Sequence, residues 1–243
     1  MKYKILVFII TYKASFRVLD LIKKIPFKYL KSHNYTIYAS DDASKDNTVS
    51  YLKRLKKKYK KKMIISENNK NQGYGGNIKK CIRYAYKNNF DYAVMLHGDN
   101  QYNPIHIRQM LQILFKEKRS ASVSGSRMLY KSDALKGNMP IYKFIGNIIL
   151  TKFFNLFYGT NFSDCHTGYW AYNLNLIPRS LFKKSDNNFC FDIDMRLLMT
   201  QKKLLIKEIP IKTFYGDERS SIHFVYALRF LFKTIKFKFF NRL

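Results

Sequence analysis

Between Ile5 and Ser126, short apolar runs that suit one buried strand each alternate with stretches whose apolar residues recur at helical spacing. That alternation leaves the chain few options. Parallel strands need a crossover of about a dozen residues or more, usually a helix, so the pattern predicts an α/β fold: a mostly parallel central sheet with helices on both faces. The predicted strands are Ile5–Ile10, Thr36–Ala39, Met63–Ser66, Tyr92–Leu96 and Ala121–Ser126. The predicted helices cover Phe16 to Ile25, stopped by Pro26; Thr48 to Tyr59, with Asp46 or Asn47 as N-cap; Gly76 to Lys87; and a segment opened by Asn103-Pro104 that reaches about Lys116.

Past Ser126 the periodicity loosens. A polar loop is expected through Gly137, then a helix from Ile141, another near Asp192 to Thr200, a strand around Leu205 to Ile211 and a basic amphipathic end. A chain of 243 residues makes one large domain, or one domain with an appendage, and no repeat or low-complexity linker divides it. The expected division is a domain over 1–221 and a basic C-terminal segment over 222–243.

Lys and Arg total 45 against 16 Asp and Glu, a net charge of +29 that points to an anionic partner: nucleic acid, a membrane surface or a phosphorylated small molecule. A compositional bias toward solvated lysine explains the charge equally well. The lysines are spread over many helices without a nucleic-acid-binding motif, so no nucleic-acid partner is expected. Cys81, Cys165 and Cys190 are odd in number and widely spaced, which fits a reducing compartment and neither a disulfide framework nor a zinc site. The apolar stretches Ile141–Tyr158 and Ile222–Phe240 carry too many charged and amide side chains to read as membrane-spanning helices.

In an open α/β sheet, ligands bind outside the carboxyl ends of the strands. Those positions hold Thr11-Tyr12, Asp41-Asp42, a glycine-rich turn from Asn71 to Asn77, and Asp99-Asn100-Gln101. A carboxylate after the second strand can accept a hydrogen bond from a base N–H or a ribose hydroxyl. The glycines allow close backbone approach to a ligand and open a helix whose first amides favour anions. His97, Asp99 and Gln101 alternate along a turn, an arrangement able to hold a divalent ion against a diphosphate.

In this order the motifs resemble family 2 glycosyltransferases of the dolichyl-phosphate mannosyltransferase type over nearly the whole chain. The matching pieces are Ile10-Thr11-Tyr12, Asp41 to Thr48, Asn71 to Asn77, His97 to Pro104, Gly125-Ser126-Arg127, Thr167-Gly168-Tyr169 and Glu208-Ile209-Pro210-Ile211. The resemblance implies a Rossmann-like glycosyltransferase A fold and transfer of a sugar from a UDP- or GDP-sugar donor, metal-dependent and inverting. Thr11, Tyr12, Asp41, Asp42, Gly76 and Asn77 would bind the nucleotide, Arg127 and Arg219 the phosphates, and Asp99, Gln101 and His97 a Mg or Mn ion. Three departures stand out: His97 replaces the first Asp of the metal motif, Trp170 stands where an Arg commonly sits, and a late Arg-x-x-Gly-x-Ser element is reduced to Arg219-Ser220-Ser221.

A hydroxyl acceptor needs a base within hydrogen-bond reach, and Asp164, His166, Asp192 and Asp194 are the candidates. A lipid-phosphate acceptor is already anionic and needs none. Asp192 and Asp194 are two residues apart, so on a helix only one is expected to face the site. Near the end, Arg229, Lys233 and Lys236 recur at helical spacing among Phe230, Leu231, Phe232 and Phe237, which suits an anionic membrane surface. Together with the resemblance this implies a polyprenyl phosphate or a cell-surface glycan precursor as the expected acceptor, with the protein expected to be peripheral on the cytoplasmic face of the cell membrane. The rival reading is a non-catalytic basic protein that binds anionic lipid or nucleic acid on a degenerate transferase fold.

Overall fold

The structure, a computed structural model, describes residues 2–215 and 224–240. Seven strands, β1 (Lys4–Thr11), β2 (Asn34–Asp41), β3 (Met63–Glu67), β4 (Tyr92–His97), β5 (Ser120–Ser126), β6 (Trp170–Asn173) and β7 (Leu205–Pro210), form one sheet in the order β3-β2-β1-β4-β6-β5-β7. Only β6 runs against its neighbours. Alternation along β1 divides the core. Leu6 and Phe8 face one layer with Ile78, Cys81 and Met95, whereas Ile5, Val7 and Ile9 face the other with Val18, Leu21 and Met110.

The helices are α1 (Arg17–Lys23), α2 (Phe27–Leu30), α3 (Thr48–Tyr59), α4 (Tyr74–Lys87), α5 (Ile107–Lys116), α6 (Lys131–Lys136), α7 (Ile141–Tyr158), α8 (Arg179–Lys184), α9 (Phe191–Gln201) and α10 (Phe224–Phe240). Ile78, Cys81, Ile82 and Ala85 give α4 a buried stripe at i, i+3, i+4 and i+7, and Ile107, Met110, Leu111 and Leu114 repeat it in α5. Asn47 is the N-cap of α3 without a capping side-chain bond, and the Thr48 amide donates to Asp46 Oδ1 at 3.1 Å.

Sequence expectation missed β6 and the short α2, α6 and α8. The segment taken for a polar loop through Gly137 contains α6, six residues long. The register sets the parallel strand ends side by side, with Thr11 opposite Asp41 and Ile10 opposite His97. Because β6 is antiparallel, Thr167-Gly168-Tyr169 enters the sheet at this same edge.

The C-terminal helix closes the main core rather than trailing from it. Phe230, Thr234 and Phe237 are buried, and Tyr158 at the end of α7 donates to the Thr234 carbonyl at 3.0 Å. No helix among the described residues is long and apolar enough to cross a membrane.

Candidate active site

The carboxylate that ends β2 and the one that follows it have different partners. Asp41 turns inward: Oδ1 accepts from the Thr11 hydroxyl at 2.8 Å and the Ser44 hydroxyl at 2.7 Å, and Oδ2 from the Ser44 amide at 2.8 Å. Thr11 and Asp41, both expected on the nucleotide, are thus occupied in joining β1 to β2. Asp42 reaches the glycine-rich turn, where its Oδ1 accepts from the Gln72 amide at 2.8 Å and Asn68 Nδ2 at 2.7 Å. Tyr12 is 52% exposed, leaving its ring available at the mouth of the edge.

The glycines of the turn are explained by close packing. A Cβ on Gly73, which has φ +78°, would meet the Asn187 carbonyl oxygen at 2.6 Å, and one on Gly75 would strike the Asp186 carbonyl oxygen. The Gly76 amide, expected to face the nucleotide, donates to the Asn187 carbonyl at 2.9 Å. Asn77 is buried with its amide group on Ser40, Nδ2 donating to the carbonyl at 2.9 Å and Oδ1 accepting from the hydroxyl at 2.6 Å. Glycine is required here because segment 186–188 lies against the turn, and that contact is invisible in the local sequence.

At the end of β4, Gly98 allows the turn to pack on β1, since a Cβ there would lie 2.6 Å from Thr11 Cγ2. Asp99 Oδ1 accepts from the Gln101 amide at 3.0 Å, and the Gln101 side chain is exposed. His97 Nε2 lies 3.0 Å from the Gly168 carbonyl oxygen. A carbonyl only accepts, so this nitrogen carries the proton and Nδ1 alone retains a lone pair for a ligand. Burial lowers the His97 pKa, with Asp99 acting in the opposite sense, which favours the neutral ring.

No three His, Cys, Asp or Glu side chains among the described residues gather as a metal cage. The donor set is one partly free carboxylate on Asp99 and one imidazole nitrogen. It suits Mg or Mn shared with a diphosphate, because such ions are held by one or two carboxylates plus phosphate oxygens and waters.

The four candidate bases separate clearly. Asp164 is saturated: Arg127 Nε donates at 2.7 Å and its NH2 at 2.9 Å, Asn147 Nδ2 at 3.1 Å and the His166 amide at 2.9 Å. Burial pushes its carboxyl up, but the Arg127 guanidinium more than reverses this and holds it well below the usual carboxylate range. Asp164 is a fixed anion, and Arg127, expected on phosphate, has its fork on Asp164 and NH1 on the Tyr215 hydroxyl at 3.1 Å. Burial lowers His166 to about 4, leaving it neutral against the Phe230 ring at 4.5 Å.

Asp192 and Asp194, both on α9, face different ways. Asp194 accepts from Lys233 Nζ of α10 at 2.8 Å and from the Asp186 amide at 2.8 Å. Asp192 Oδ2 accepts from the Tyr74 hydroxyl at 2.8 Å, whereas its buried Oδ1 has no partner among the described residues. Burial, partly offset by the Tyr74 hydrogen bond, raises the Asp192 carboxyl to about 7, a value suited to proton transfer near neutrality. Tyr74 was quoted only as part of the glycine-rich motif. Its hydroxyl joins that turn to Asp192, 118 residues away. Arg219 lies outside the described residues.

Comparison with known proteins agrees with this architecture. The chain matches Glycosyl transferase family 2 over residues 6–179 and belongs to that family. It is 29% identical over 200 residues to the UDP-N-acetylglucosamine--dolichyl-phosphate N-acetylglucosaminyltransferase of Methanococcus voltae, covering 77% of this chain and 78% of that protein. It is also 29% identical over 161 residues to the low-salt glycan biosynthesis hexosyltransferase Agl6 of Haloferax volcanii, covering 64% of this chain and 35% of that one. Glucosyl-3-phosphoglycerate synthase from Mycobacterium tuberculosis, solved with Mg2+ and uridine diphosphate, superposes with a TM-score of 0.66 at 12% identity over 97% of this chain and 79% of that one. The protein is a glycosyltransferase with a glycosyltransferase A fold.

Proposed function

We propose that the protein transfers a sugar from a nucleoside diphosphate sugar to a polyprenyl phosphate at a membrane surface, with inversion at the anomeric carbon. The observation that carries the reading is the Asp192 carboxyl, buried beside the strand-end motifs, where burial outweighs the Tyr74 and Trp170 side chains and the Arg196 guanidinium and raises it to about 7. A group in that state is matched to a phosphate monoester, whose second ionisation lies near 6. Lipid phosphate that arrives as the dianion attacks the sugar opposite the departing diphosphate without a base, and lipid phosphate that arrives as the monoanion gives its remaining proton to the Asp192 carboxylate as it attacks. The similarity to a dolichyl-phosphate transferase supports the choice of acceptor.

On the donor side, the Tyr12 ring and Asp42 receive the base and ribose. Asp99 and His97 are the residues that would hold a Mg or Mn ion, which would supply neutralisation of charge on the leaving diphosphate. Lys-rich and apolar surface on α7 and α10 would bring the protein to the lipid. On α10, Leu228, Phe232 and Phe239 are exposed together with Arg229 and Lys238. Lys233, expected on that basic face, instead turns inward to Asp194.

The test is release of nucleoside diphosphate from a panel of UDP- and GDP-sugars with Mn2+ and vesicles containing polyprenyl phosphate. Release that requires both the lipid phosphate and the metal supports the reading. Equal release without the lipid, or none from any donor, contradicts it.

A further inference from the structure

We propose that Tyr74 is a positioning residue of the transfer reaction, its hydroxyl fixing the Asp192 carboxylate and tying it to the glycine-rich turn. The proposal rests on the reading of Asp192 as the base. The Tyr74 hydroxyl has two polar neighbours, Asp192 Oδ2 at 2.8 Å and His97 Nε2 at 3.3 Å. Because Nε2 carries the proton that Gly168 accepts, it has no lone pair for Tyr74, and the Tyr74 hydroxyl donates to Asp192. All three side chains converge on one point: a Cβ on Gly168 would lie 2.8 Å from the Tyr74 hydroxyl oxygen, 3.0 Å from His97 Cε1 and 3.4 Å from Asp192 Oδ2.

The framework around Tyr74 is equally determined. Its ring stacks on Phe189 at 5.7 Å and meets His97 edge-on at 5.5 Å. The glycines on either side press on the carbonyls of 186–187, and the Asp186 amide in turn donates to Asp194, on α9 with Asp192. The turn and the helix are therefore referenced to one loop, and the hydroxyl closes the circuit between them. A phenylalanine would fill the same space and keep both ring contacts. The hydroxyl adds only bonds to site groups, which is what distinguishes positioning from packing.

The experiment compares wild type, Tyr74→Phe, Asp192→Asn and the double variant as full chains. Transfer is followed from UDP-N-acetylglucosamine to polyprenyl phosphate in vesicles, and crystal structures of wild type and Tyr74→Phe are determined under matched conditions. The expected result for Tyr74→Phe is a kcat about 10- to 100-fold lower, the scale of a misplaced catalytic group, with donor KM within about twofold. No further loss is expected when it is added to Asp192→Asn. Additive losses, or a KM effect without a kcat effect, overturn the proposal. The crystals decide independently of turnover. A carboxylate rotated away from Gly168 in Tyr74→Phe is expected, and an unmoved one overturns positioning even if wild type does not use this donor, an outcome that counts against the donor and acceptor reading alone.

Discussion

Adjacent identical residues can have opposite tasks, and the pair Asp41-Asp42 is the plainest case. Nothing local in the sequence distinguishes them; the difference arises because β2 ends at Asp41, whose carboxylate is taken by Thr11 and Ser44. Asp192 and Asp194 are the better-read pair, since helical geometry alone separates their directions. The raised carboxyl of Asp192 has a stated consequence for pH. Only its ionised form accepts a proton, so kcat/KM is expected to rise with pH through a midpoint near 7, and Asp192→Asn to remove that limb; a flat profile between pH 6 and 8 counts against its role as base. Stability has the opposite sign. A folded-state value above the unfolded one favours the protonated carboxyl, so its contribution is complete below the ordinary carboxylate range and is lost as pH rises through about 7.

Elements with strong periodicity were legible: α3 spans Thr48–Tyr59 as expected, and β1 to β5 lie within two residues of their predicted bounds at each end. β6 was not, because four residues buried on both faces between β4 and β5 carry no alternation to read. The glycine-rich turn was located correctly, but the packing that requires its glycines was not legible, since the segment it packs against lies more than a hundred residues later. α10 offers the sharpest test at this scale. Lys233 pairs with the fully buried Asp194, so Lys233→Met strands a buried carboxylate and is expected to cost roughly 3 kcal/mol, or about 6–12 °C in Tm. Arg229→Met, at an exposed position on the same helix, is expected to change stability by less than about 0.5 kcal/mol. Equal melting shifts for the two would contradict the docked arrangement of α10.

For the whole molecule, the excess of positive charge became informative only when the fold sorted it. Most lysines are solvated, Lys233 is a core ion pair, and Arg229, Lys236 and Lys238 remain on α10 beside exposed aromatic rings. With each such charge contributing about 1 kcal/mol near an anionic bilayer, changing these three to Gln is expected to abolish sedimentation with anionic vesicles at low salt while leaving nucleotide binding intact. Vesicle binding unchanged by the substitution would remove the membrane from the account. The central claim, that the strand-end cluster performs metal-assisted sugar transfer to a lipid phosphate, is tested most directly by one measurement. Wild type and Asp99→Asn are compared for transfer of radiolabel from each of a panel of sugar-labelled UDP- and GDP-sugars into organic-extractable polyprenyl phosphate with Mn2+ present. Wild type is expected to move label into the lipid phase and Asp99→Asn to lose at least about 100-fold, as expected when a group that stabilises leaving-group charge is removed. Label that stays aqueous with wild type, or transfers equally with Asp99→Asn, would contradict the account.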